Sequence, residues 1–242
     1  MNLLIDSGNS LIKWVLSKDG EFFSKGRCLS NSVSSLPEFW ENYESPARVI
    51  VANVAGERVA DEIKKAVSAR WQLDTEFIVS SKNCCGLKNS YHKTEQLGVD
   101  RWMAMLAAYQ KKMDSVIVVD CGTAVTIDVV NMDGVFIGGV ILPGLNTAYQ
   151  SLTTDTDVIK EISSINSVAS PVAQSTEDAV AAGVLLGLVG GIERIVSEQS
   201  SLVDITPTVF LTGGDAEKLL LYLTISVTVQ PDLVLQGLSI AA

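Results

Sequence analysis

The chain has 242 residues, 47% of them hydrophobic and 19% charged, with 18 basic against 28 acidic side chains and a formal net charge of -10. That apolar fraction excludes a disordered acidic tail, and the acidic balance argues against general nucleic-acid binding, which needs a basic face to neutralise phosphates. A small phosphate site stays open, because backbone N–H groups and a metal ion can build one locally.

The length allows one large domain or two of about 120 residues. In chain order, residues 2–5 and 11–16 read as short strands around a turn at Gly8, and Asp19-Gly20 turns the chain into a third strand at 21–28. Residues 48–54 form a β-branched apolar run, hence a buried strand. Val59, Ile63, Ala66 and Val67 then recur at helical spacing within 57–69. A strand at 76–79, a polar loop at 80–95 and a helix at 100–112 with Met103, Leu106 and Ala107 on one face complete the first half.

The second half starts over. Strands are expected at 116–119, 124–130 and 135–140, with a turn at Asp133-Gly134, followed by a Ser/Thr-rich connection at 152–174 and a long helix at 176–199. A strand at 209–211, a helix from Asp215, a strand at 225–229 and a helix from Asp232 finish it. Three hairpin-linked strands followed by alternating helices and strands thus occur twice. The uncharged stretch 179–192 is too short for a bilayer, which needs about 20 residues, and four glycines interrupt it. It reads as a buried helix. The opening residues lack the basic region and cleavage site of a secretory signal. Cys28, Cys84, Cys85 and Cys121, with His92 as the one histidine, match no zinc spacing and read as reduced cytosolic thiols.

The duplication is visible residue by residue. Asp6-Ser7-Gly8-Asn9-Ser10-Leu11-Ile12-Lys13 aligns with Asp120-Cys121-Gly122-Thr123-Ala124-Val125-Thr126-Ile127 at an offset of 114 residues. Each follows an aliphatic strand and leads into another, as expected of repeated halves. An acidic residue closing a buried strand can supply an oxygen to hydrated Mg²⁺. The glycine after it lets backbone N–H groups approach a phosphate, and Asn9, Ser10, Thr123 or Thr126 can hydrogen-bond phosphate oxygens. Asp and Gly also favour ordinary turns, so either segment alone supports both uses; two of them make a clamp for a nucleoside triphosphate the better reading. Neither a glycine-rich P-loop nor a G-x-G-x-x-G fingerprint is present.

Gly98-Val99-Asp100-Arg101 opens a helix. Asp100 there is either a first-turn acid that favours the helix dipole or a carboxylate for a substrate hydroxyl, with Arg101 a bidentate partner for a substrate carboxylate. Gly138-Gly139-Val140-Ile141-Leu142-Pro143-Gly144 punctuates a strand end, either as a loop or as backbone passing close to a ligand. Ser175, three residues before Asp178, marks a helix start. Gly183, Gly187 and Gly190 then recur at about one turn, which lets another helix cross closely, within the protomer or across a dimer. Gly213-Gly214-Asp215 is a strand-to-helix turn, and His92 reads as a loop residue.

Taken in order, Asp6-Ser7-Gly8-Asn9-Ser10-x-x-Lys13, Gly98-x-Asp100-Arg101, Asp120-x-Gly122-Thr123-Ala124-x-Thr126, Gly138-Gly139-x-Ile141-x-Pro143-Gly144, Thr176-x-Asp178-Ala179 and Gly213-Gly214-Asp215 resemble type III pantothenate kinases. The resemblance implies an α/β fold of two duplicated RNase H-like domains, mixed sheets flanked by helices, of the acetate and sugar kinase/Hsp70/actin type. The halves would be 1–114 and 115–242. It also implies ATP-dependent phosphorylation of pantothenate, the first step of coenzyme A synthesis. Under it, Asp6, Ser7, Gly8, Asn9, Ser10, Leu11, Ile12 and Lys13 hold the ATP phosphates, with Asp6 near Mg²⁺. Asp120 lies near a monovalent cation, potassium or ammonium, and Thr123 contacts ATP. Asp100 is the general base, and Tyr91, Gly98, Val99, Asp100, Arg101 and Thr176 bind pantothenate. The family's site is completed in a homodimer, and a cytoplasmic homodimer with no nucleic-acid or membrane partner is the expectation. Ser10 stands where the first motif usually carries Thr, so the hydroxyl is kept.

Overall fold

A computed structural model describes residues 1–154 and 170–242. The chain separates into two compact units, the first made of Met1–Met113, Gly134–Ile137 and Asp232–Ala242, the second of Asp114–Asp133 and Gly138–Pro231.

In the first unit, β1 (Asn2–Ser7), β2 (Leu11–Lys18) and β3 (Glu21–Leu29) form the expected meander. Asp19 and Gly20, at φ 52° and 82°, make the left-handed two-residue turn between β2 and β3. A 3₁₀ segment (Ser30–Ser35) and the single-turn α1 (Leu36–Phe39) lead to β4 (Arg48–Asn53), α2 (Glu57–Trp71) and β5 (Thr75–Phe77). The sheet order is β3-β2-β1-β4-β5, with β1 antiparallel to β2 and parallel to β4. Leu3, Leu4 and Ile5 are all fully buried, because helices cover both faces of this strand. Ile12, Trp14, Val49, Val51, Val59, Ile63 and Trp40 pack one face, where Trp40 stacks on Trp71 at 5.3 Å between centroids.

The stretch 80–95, expected as loop, contains two short strands, β6 (Asn83–Cys84) and β7 (Leu87–Asn89). Cys85 and Gly86, at φ 46° and 86°, turn one into the other. The helix expected at 100–112 is α3 (Val99–Lys112). It is buried from Val99 through Tyr109 apart from Asp100, not on one face alone.

The second unit repeats the pattern with β8 (Val116–Cys121), β9 (Ala124–Val130) and β10 (Val135–Pro143), α4 (Leu145–Thr154), α5 (Thr176–Ser200), β11 (Thr208–Thr212), α6 (Ala216–Leu220) and β12 (Thr228–Val229). The first residues of β10 belong to the first unit, where Val135 and Phe136 pair with Lys88 and Asn89 of β7. Strand order in the second unit is β10-β9-β8-β11-β12, and β8 runs antiparallel to β9 and parallel to β11. This is the order and sense of the first sheet. Of the connection expected at 152–174, Leu152 lies in the last turn of α4, and residues 155–169 lie outside the described residues.

Helix α5 starts as expected, with Ser175 Oγ accepting from the Asp178 N–H at 3.1 Å. It packs on β8 and β9 through Leu185, Val189 and Ile192. Among the described residues it is the one helix long and apolar enough to cross a membrane by length and composition, and 44% of its apolar window is buried. The strand expected at 225–229 shortens to β12. The last helix, α7 (Leu233–Ala241), packs in the first unit against α3, β1 and β4. Gly237 sits where any Cβ would press on the backbone of Met103, which explains how α3 comes to be covered on a second side.

Candidate active site

The first Asp-x-Gly segment is the β1–β2 hairpin. Asp6, next to last in β1, lies directly across from Lys13, and Ser7, the last, across from Ile12. Gly8 closes the turn by donating its N–H to the Leu11 carbonyl at 3.0 Å, with Asn9 and Ser10 exposed at the tip. Ser7 and Ile12 are fully buried, so Ile12 can offer a ligand only its backbone. The Ser7 carbonyl accepts from the Val54 N–H at 2.9 Å, just beyond the end of β4.

The second segment is the β8–β9 hairpin of the second unit. The Gly122 N–H donates to the Ala124 carbonyl at 3.0 Å, and the Cys121 carbonyl accepts from the Asp215 N–H at 3.0 Å, just beyond β11. The tie to the neighbouring parallel strand is therefore shared, while the second turn is one residue shorter: Ser7 pairs with Ile12, but Cys121 with Val125. Gly144 packs so tightly on this turn that a Cβ there would meet the carbonyls of Gly122 and Thr123. Of the segment 138–144, read as loop or close backbone approach, residues 138–143 continue β10 beyond the expected end at 140, and Gly144 alone closes on the 120–124 turn. Burial, then the carboxylates of Asp120 and Asp215, push the Cys121 thiol above its usual range; Asp215 also faces Lys218 at 3.9 Å.

The Gly98-x-Asp100-Arg101 segment opens α3 in the first unit. The Asp100 carboxylate folds back to accept the Arg101 N–H at 2.8 Å. It lies over Gly98, where a Cβ would come 2.5 Å from Asp100 Oδ1. What Gly98 supplies is room for that carboxylate. Burial raises the Asp100 pKa above the ordinary carboxylate range, against the lowering effects of the Arg101 N–H and the Arg101 charge. Arg101 is itself buried, donates from Nη1 to the Tyr91 hydroxyl at 3.2 Å, and stands 5.9 Å from the ring centroids of both Tyr91 and Phe136.

Tyr91 is fixed from behind. Its N–H donates to Asn89 Oδ1 at 3.0 Å, and its ring packs on Phe136 at 5.3 Å. The Ser90 hydroxyl donates to the Phe136 carbonyl. Thus Tyr91, Gly98, Val99, Asp100 and Arg101 come together in the first unit, which also carries the hairpin at 6–13. Asp120 and Thr123 lie in the second unit, as does Thr176, exposed in the first turn of α5. Phe136 was not singled out from the sequence. Its one visible signal was an aromatic two residues beyond the Asp133-Gly134 turn.

Two mixed sheets of the same strand order, each ending a central strand in an Asp-x-Gly turn tied to its parallel neighbour, define the acetate and sugar kinase/Hsp70/actin class of fold. Solved structures agree. A Campylobacter jejuni protein proposed to be a Baf family transcriptional activator superposes with a TM-score of 0.63 at 23% identity, over 98% of this chain and 95% of its own. The ethanolamine utilization protein EutJ of Carboxydothermus hydrogenoformans superposes at 0.55 and 17%, over 99% and 88%.

Within that class the chain belongs to the type III pantothenate kinase family, whose model matches residues 2–198. It is 35% identical over 247 residues to the type III pantothenate kinase of Nitrosococcus oceani, spanning 99% of this chain and 92% of the relative. To that of Herminiimonas arsenicoxydans it is 35% identical over 257 residues, spanning 100% and 97%. Membership makes it a phosphotransferase of coenzyme A synthesis that uses ATP and a divalent metal to phosphorylate pantothenate.

Proposed function

We propose that pantothenate is bound at the start of α3 and that Asp100 accepts the proton of the hydroxyl being phosphorylated. The observation that carries this is the Asp100 carboxylate, kept over Gly98 in a site that raises its pKa, next to a buried arginine aimed at a tyrosine hydroxyl. A carboxylate so placed orients an alcohol and takes its proton as the oxygen bonds to the γ-phosphorus of ATP. The bond from that phosphorus to the β-phosphate oxygen then breaks and ADP leaves. Such a base contributes about 10²–10⁴-fold, and the rest comes from positioning and charge neutralisation. In this reading Arg101 holds the pantothenate carboxylate with its planar fork, Tyr91 and Thr176 present hydroxyls, and Gly98 and Val99 line the site through backbone.

The same reading gives the ATP phosphates to Asp6, Ser7, Gly8, Asn9, Ser10, Leu11, Ile12 and Lys13, and a further ATP contact to Thr123. Asp6 would hold magnesium, and Asp120 would lie near potassium or ammonium. Carboxylates, hydroxyls and carbonyls are hard oxygen donors, the set these cations take. Two acidic side chains bearing on the Cys121 thiol make a cation favourable there. When bound, magnesium neutralises charge on the phosphates. The reading includes a cytoplasmic homodimer. The exposed glycines 183, 187 and 190 of α5 support it, because they allow close approach of another helix.

The test is conversion of pantothenate and ATP to 4'-phosphopantothenate by purified protein, with magnesium and with or without potassium or ammonium. Product formation that persists in Asp100→Asn would remove Asp100 from the role assigned to it.

A further inference from the structure

Ser30 follows β3 directly and belongs to none of the motifs, yet both of its donors go to the hairpin at 6–13. Its hydroxyl donates to the Gly8 carbonyl at 2.6 Å, and its N–H donates to the Ser10 carbonyl at 3.0 Å. Ser30 is 5% exposed, so the donor side of both bonds is out of water, although Ser10 itself is exposed. Gly8 and Ser10 flank Asn9 at the tip of the turn.

A turn that holds an anion must direct N–H groups at it and keep carbonyl oxygens, which are partial negative charges, pointing away. Ser30 draws back the carbonyls on both sides of Asn9. In the second unit a different carbonyl of the turn is held from outside, that of Thr123, which aligns with Asn9. There the Thr123 carbonyl accepts from the Gly144 N–H at 3.1 Å and from Thr147 Oγ1 at 2.7 Å. Closing the hairpins does not require these ties, since each turn already has its own cross-turn bond from Gly8 or Gly122.

We infer that Ser30 is a positioning residue for triphosphate binding, acting through the orientation of the Gly8 and Ser10 peptide groups. The inference rests on the proposal that residues 6–13 hold the ATP phosphates. Loss of one buried hydrogen bond to the turn weakens a phosphate site about five- to tenfold.

The experiment uses the full chain and its Ser30→Ala, Ser30→Thr and Lys13→Ala variants. It measures binding of a non-hydrolysable ATP analogue and of adenosine by calorimetry, together with KM for ATP and for pantothenate. The expected result for Ser30→Ala is a five- to tenfold loss of analogue affinity and the same rise in KM for ATP. Adenosine affinity and KM for pantothenate should stay unchanged, and Ser30→Thr should return the analogue to near wild-type affinity.

Unchanged analogue affinity in Ser30→Ala, or an equal loss for analogue and adenosine, overturns the inference. If Lys13→Ala weakens the analogue while Ser30→Ala does not, the phosphate assignment stands and only the role of Ser30 falls. If neither variant weakens it, the phosphate assignment falls as well. Should Ser30→Ala fail to fold, Ser30→Cys keeps the size and the backbone donor but weakens the hydroxyl bond, and carries the same expectation.

Discussion

The Nη1 of Arg101 donates to the hydroxyl of Tyr91 at 3.2 Å, with Phe136 as a second ring 5.9 Å from the guanidinium carbon. A buried guanidinium that faces two mutually packed rings and bonds the hydroxyl of one of them is restrained before any ligand arrives. That lowers the cost of forming a bidentate bond with a carboxylate.

Tyr91→Phe keeps the ring contact with Phe136 and removes only the hydroxyl. Its expected effect is a rise of about three- to tenfold in KM for pantothenate, the scale of one hydrogen bond, with little change in melting temperature. Steady-state kinetics at saturating ATP reads it. An unchanged KM would mean that the hydroxyl serves Arg101 in no way that matters to binding.

Asp100→Asn should lower kcat by about 10²–10⁴-fold. In the native enzyme, the acid limb of kcat/KM should lie above the ordinary aspartate value of about 3.9, because burial raises the Asp100 pKa. Stability follows with a definite sign. A carboxyl whose folded pKa is raised binds its proton more tightly folded than unfolded, so it loses stability as pH rises through that folded pKa. Asp100→Asn should therefore melt higher than the native protein at neutral pH, with the gap closing on acidification. Thermal melts across pH 4 to 8 would show it.

The central strands were legible because fully buried strands read as continuous apolar runs, and β1, β4, β8 and β11 all contain one. The duplicated turns were legible because Asp and Gly recur at fixed places within those runs. What escaped notice depends on partners far along the chain. Strands of two or three residues such as β6 and β7 carry no periodicity. Pairing of β7 with Val135 and Phe136 brings Phe136 to Arg101, which its place just after the Asp133-Gly134 turn does not disclose. Ser30 is an ordinary serine until its two bonds to the turn are seen. Helix α3 read as one-faced because nothing in its own residues announces that α7 will cover another side.

Gly213→Ala tests the acidic turn of the second unit. Gly213 has φ +96°, and a Cβ would meet the Cys121 carbonyl and come 2.5 Å from Asp120 Oδ1. Strain at this φ costs on the order of 1–3 kcal/mol, and the Asp120 carboxylate must move. The expected result is a lower urea midpoint together with a raised potassium or ammonium concentration for half-maximal activity. A lower midpoint with unaltered cation response would separate the turn's stability from the role proposed for Asp120.

Gly237→Ala sets two effects of opposite sign against each other. Alanine favours a helix interior over glycine by about 0.5–1 kcal/mol, so propensity alone predicts stabilisation. A Cβ at 237, however, would press on the Met103 carbonyl and lie 2.6 Å from its carbon. Those are backbone atoms of a buried helix and cannot step aside as a flexible side chain could. Overpacking of this kind costs about 1–3 kcal/mol, so the net change should be destabilising and visible as a lower urea midpoint. Because Met103 lies one helical turn from Asp100 on α3, the displacement should also reduce kcat, whereas a remote packing defect would leave it intact. A variant as stable as the native protein would show that α7 can move off α3 without cost.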